Sequence, residues 1–157
     1  MRDSTRKLTV VYCEDVRLEL TGQTSHIGIF NGTLLAQTFP FSLPKFAVSV
    51  EIATPFGEQL QSLRFELTSD AGGELLAMDF PQEVLKQQKS SVSSAELEGF
   101  EEKLVGIRTQ FFVAPLVIEG PTMIRSRIIT ENGEVRGAAL KVAQGNPVFP
   151  HMQPLSQ

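Results

Sequence analysis

The chain has 157 residues, 14 Lys and Arg against 18 Asp and Glu, a formal net charge of −4 and 41% hydrophobic residues. That length fits one domain, typically about 100–200 residues, with a core large enough to fold without disulfide or metal. The acidic balance argues against a general grip on nucleic acid or anionic lipid. No apolar run reaches the roughly 18 residues that a membrane-spanning helix needs.

Met1 to Lys7 is charged and leads into a short apolar run, Leu8 to Tyr12, which Glu14 and Asp15 interrupt. A secretory leader needs a longer apolar core and a small-residue cleavage site, so a cytoplasmic protein is expected. The single cysteine, Cys13, has no partner for an internal disulfide and reads as a buried residue. Thr21-Gly22-Gln23 and Asn31-Gly32 supply turns in the first quarter.

Period-two alternation then dominates. Phe46, Val48, Val50 and Ile52 share one face while Ser49 and Glu51 take the other. Leu63, Phe65 and Leu67 alternate with Ser62, Arg64 and Glu66, and Asp70-Ala71-Gly72-Gly73 turns the chain into a shorter strand around Leu75–Met78. Gln82 to Leu104 is rich in Gln, Lys, Ser and Glu. Ser93 and Glu96 there resemble a capping box, and Leu97, Phe100 and Leu104 follow at helical spacing. One short helix over 94–104 is expected, after a mobile connection through Ser90 and Ser91.

Phe111 to Ile118 is continuously apolar and reads as one strand, with Pro115 marking an edge or bulge. Ile124 and Ile128 alternate with Arg125 and Arg127. Asn132-Gly133 is the expected centre of a two-residue hairpin with positive φ at both positions, pairing 124–130 with 135–142. Residues 144–157 hold three prolines and are expected to form an extended or disordered arm. The pattern therefore predicts a mostly β, antiparallel β-sandwich of about seven to nine strands over 1–143, with a helical insertion at 82–104 and a tail at 144–157. A partly open barrel is the alternative.

Cys13-Glu14-Asp15-Val16-Arg17 with Glu19 and Gly22, Ile27-Gly28-Ile29-Phe30-Asn31-Gly32, Phe39-Pro40 and Leu43-Pro44-Lys45 together resemble a group of small bacterial proteins of unknown function. The final hairpin with Asn132-Gly133-Glu134 is similar to the ending of that group, over a span of about Leu8–Val142. The resemblance implies an immunoglobulin-like sandwich and a bacterial or phage setting. It implies no activity and no site residues.

Chemistry is sparse. Glu14 and Asp15, with Glu19 nearby and His26, are the residues a metal-dependent hydrolase would use, but neighbours in a strand face opposite ways. A salt bridge from this pair to Arg17 or Lys45 is the plainer expectation. His26 and His151 lie far apart with no zinc spacing, no nucleophile elbow is present, and the glycines fit turns rather than a phosphate loop. No catalytic residue, cofactor or metal is expected.

Arg125, Arg127 and Arg136 make a local basic face, either paired with Glu131 or Glu134 or open to an acidic partner. Phe39 and Phe41 around Pro40 read as a plug for one end of the sandwich or as a docking loop. Val113, within the apolar Phe111–Ile118 run, marks a surface that a second chain would cover, so a homodimer is expected. The expected function is a non-enzymatic protein-binding or self-associating module. A small-ligand-binding module is the alternative, and the Glu14/Asp15/His26 hydrolase comes after it.

Overall fold

Residues 5–90 and 92–146 are described by the computed structural model. Their strands are β1 (Lys7–Leu18), β2 (Thr24–Ile29), β3 (Thr33–Ala36), β4 (Phe41–Leu43), β5 (Phe46–Pro55), β6 (Leu63–Ser69) and β7 (Gly73–Asp79). A helix α1 (Gln82–Ser90) and a 3-10 turn (Ser94–Leu97) follow. The chain then forms β8 (Leu104–Val113), β9 (Leu116–Ile118), β10 (Thr122–Thr130), β11 (Gly133–Arg136) and β12 (Leu140–Gln144).

One four-stranded sheet has the order β2-β1-β5-β8, and a second has the order β3-β12-β10-β6-β7 with β11 also on β10. β4 and β9 form a separate pair. The protein is mostly β, its sheets do not close into a barrel, and every ladder is antiparallel except β3 with β12.

The alternating faces meet in one core. Phe46, Val48, Val50 and Ile52 from β5 are buried against Leu63, Phe65, Leu67, Ile124 and Ile128 from β6 and β10. Phe65 stacks on Phe111 of β8 with centroids 4.7 Å apart, joining the two sheets through aromatic contact. The charged residues on those strands, Glu51, Arg64, Glu66, Arg125 and Arg127, are turned to the other face, so a one-residue slip would bury charge.

The helix occupies 82–90 rather than 94–104: Pro81 and Glu83 favour its start, and only Leu85 of its apolar residues is fully buried. The Ser93 and Glu96 capping contact forms, with Ser93 N donating to Glu96 Oε2 at 2.7 Å, but Gly99 at φ 88° follows the turn closely and Leu104 opens β8. Ser90 ends α1, and Ser91 lies outside the described residues.

The Phe111–Ile118 run is divided at Pro115, so β8 joins the four-stranded sheet and β9 pairs with β4. The last hairpin brackets Glu131-Asn132, because Thr130 pairs with Gly133 and only Gly133 has positive φ, at 129°. Its return run also breaks at 137–139 into β11 and β12, which raises the strand count to twelve among the described residues. At the tail, Gln144 still belongs to β12 and Gly145 N donates to Ala36 O at 3.0 Å; from Pro147 onward the tail, with His151, lies outside the described residues.

Candidate functional site

The basic face is electrically balanced. Arg125 donates from Nε and Nη2 to Asp70 at 2.8 and 2.9 Å. Arg127 reaches Glu66 at 2.8 Å and Glu134 at 3.1 Å, and Arg136 reaches Glu134 at 2.7 Å. Arg64 first and then Arg127 hold the Glu66 carboxyl below its usual range, Arg125 does so for Asp70, and Arg136 with Arg127 for Glu134. An acidic ligand would have to displace carboxylates already in place. The partners were only half legible: Glu134 is used, whereas Glu131 turns to Arg6.

Glu14, Asp15 and His26 do not converge. Asp15 accepts from Lys45 and lies 3.7 Å from Arg17, and the Lys45 bond foremost holds its carboxyl down. Glu14 lies against Gly28, where an added Cβ would stand 2.8 Å from the Glu14 side chain. His26 Nε2 is buried and has no hydrogen-bond partner among the described residues. Among those residues, no three His, Cys, Asp or Glu side chains are grouped to hold a metal ion. Cys13 is fully buried opposite Ala47 and Ile29, and burial, helped by the Asp15 charge, pushes its thiol upward. A thiolate nucleophile is disfavoured there.

Phe39 and Phe41 are half-buried against the core, and Phe41 sits opposite Ile118 in the β4–β9 pair.

One open edge is the outer side of β8. Its register with β5 is regular from Leu104 opposite Pro55 to Val113 opposite Phe46. Phe56 N donates to Lys103 O at 2.8 Å, which turns the odd-numbered backbone groups toward β5. On the other flank Phe30 N donates to Tyr12 O at 2.9 Å, which gives the same phase through β1 and β5. The N–H and C=O groups of Gly106, Arg108, Gln110 and Phe112 therefore point away from the sheet. Among the described residues no strand pairs with them.

Phe112 is 45% exposed, with Lys45 Nζ 4.6 Å above its ring, whereas Val113 packs partly on the core. The exposed face of β8 thus carries the even positions, and Val113 lies on the other face. Gly106, Arg108 and Gln110 lie before the continuously apolar run that begins at Phe111, so that run alone does not mark them. The alternation of Val105, Ile107, Thr109 and Phe111 was the available signal.

A second feature is a cavity of about 160 Å³ between α1, β8 and the β5–β6 loop. Pro55, Phe56, Leu60, Leu85, Gln88 and Val105 line it.

Comparison with known proteins finds no matching family model, no matching curated protein and no matching solved structure. No helix among the described residues is long and apolar enough to cross a membrane.

Proposed function

We propose that the chain is a non-enzymatic β-sandwich of immunoglobulin-like build, related to small bacterial or phage proteins, that works by binding protein and first of all a second copy of itself. The open β8 edge carries this reading. Natural sheets guard such edges with short strands, inward charge, bulges or covering loops. β8 is ten residues long, regular in register, and exposes Phe112. Strand addition to an edge of this kind supplies affinity through backbone hydrogen bonds and specificity through alternate side chains.

Light scattering after size exclusion tests it, with Gln110→Pro as the comparison. Proline there removes an outward N–H and leaves the ladder to β5 intact. The wild type is expected at twice 17.3 kDa and the variant at 17.3 kDa with an unchanged strand-rich circular dichroism spectrum. A wild-type mass of 17.3 kDa at micromolar concentration contradicts self-association.

The apolar cavity beside α1 favours a second reading, a small-ligand module, because such sites are concave and mostly apolar. A fragment set screened by thermal shift tests it: stabilisation lost in Leu85→Trp supports the reading, and no stabilising fragment contradicts it.

A further inference from the structure

We propose that two copies join β8 to β8 in antiparallel fashion about a two-fold axis at Thr109, making one continuous eight-stranded sheet. This rests on the self-association reading above and specifies its register. Residues that hydrogen-bond across an antiparallel pair must both turn their backbone groups to the partner. Gly106, Arg108, Gln110 and Phe112 can therefore pair only with one another, and the axis must pass at a residue rather than between two.

For a strand running from Leu104 to Val113, two such axes give the longest ladder, one at Arg108 and one at Thr109. The first sets Arg108, the one charge in β8, directly against its own copy, and like charges directly opposite are destabilising. The second sets Arg108 against Gln110, Ile107 against Phe111 and Val105 against Val113. It also lays the exposed Phe112 ring over Gly106, whose missing side chain leaves bare backbone to cover. Every apolar residue from Val105 to Val113 then meets an apolar residue or glycine. α1 leaves this edge open except near Val105, where Gln88 Nε2 donates to Val105 O at 3.2 Å. A two-fold axis closes the assembly at two copies.

The test introduces one cysteine at a time into the full chain, Arg108→Cys, Thr109→Cys or Gln110→Cys, and oxidises each with copper phenanthroline beside the wild type. Thr109 would face its own copy in a non-hydrogen-bonded pair, with Cα atoms about 4.5 Å apart, within the range a disulfide spans. The expected result is covalent dimer several-fold faster with Thr109→Cys than with either neighbour. A mixture of Gly106→Cys and Phe112→Cys chains reads the same register independently, through mixed dimers in excess of like dimers. Faster cross-linking by Arg108→Cys or Gln110→Cys, in a wild type that light scattering shows to be dimeric, overturns the register and leaves self-association standing. A monomeric wild type overturns both.

Discussion

The Tyr12 hydroxyl on β1 donates to the Ala138 carbonyl oxygen at 2.6 Å and so ties the four-stranded sheet to the segment between β11 and β12. Ser126 Oγ of β10 lies 3.1 Å from the same phenol oxygen and donates to Ala138 O at 3.2 Å. Three polar groups are thus satisfied inside the core, where an unpaired one would be costly.

Tyr12→Phe should lower stability by about 1 kcal/mol, the net worth of one buried hydrogen bond. Burial holds the Tyr12 phenol above its ordinary value, with the Ser126 bond working the other way. A raised folded pKa stabilises fully below the unfolded phenol's value and loses that contribution as pH rises through the folded one. Urea unfolding between about pH 8 and about pH 11 should therefore show a steeper alkaline loss in the wild type than in Tyr12→Phe.

Gly137 sits where that cluster is tightest. An added Cβ would stand 2.5 Å from Ser126 Oγ and 2.7 Å from Val10 Cγ2. Gly137→Ala should cost about 1–3 kcal/mol through overpacking, measured by chemical unfolding. Adding Val10→Ala should recover part of that loss, and recovery of none would mean the clash is not what destabilises.

Arg6 is buried and paired with Glu131, which also accepts from Gln61 N at 3.0 Å and Ser62 N at 3.1 Å. Burial opposes the Glu131 carboxylate, yet backbone donors and Arg6 together keep its pKa below the usual range. Glu131→Ala leaves Arg6 buried without this partner and should cost about 3 kcal/mol at neutral pH. A depressed pKa stabilises above the unfolded value and is lost as pH falls through the folded one. The gap between wild type and Glu131→Gln should accordingly narrow on acidification below about pH 4, followed by denaturant midpoints.

Phe65 is fully buried in its stack on Phe111. Phe65→Ala should cost about 3–5 kcal/mol, because apolar burial is lost and a cavity remains. A loss below about 1 kcal/mol in equilibrium unfolding would contradict the packing of β6 on β8.

Strands with one wet face and one dry face were legible because their side chains alternate: the buried sets in β5, β6 and β10 are those the pattern marks. Residues whose neighbours are distant in sequence were less so. Phe100 is 65% exposed although its spacing from Leu97 and Leu104 suggests a helix face, since Gly99 has already turned the chain. α1 was hidden because a short helix needs only Leu85 to anchor it and shows little periodicity. At the candidate site the signs of Arg125, Arg127 and Arg136 were readable, but Asp70 and Glu66 became their partners only through the β6–β10 register. The open edge at Gly106–Phe112 was hidden for the same reason, as strand order is a property of the assembled sheet.

Amide hydrogen exchange resolved by residue, at high and at low protein concentration, tests the edge pairing most directly. The outward amides of Gly106, Arg108, Gln110 and Phe112 should be protected at high concentration and exchange quickly on dilution, while Ile107, Thr109 and Phe111 stay protected by β5 throughout. Fast exchange of the four outward amides at both concentrations, or protection that dilution does not change, would contradict pairing of β8 with a second copy.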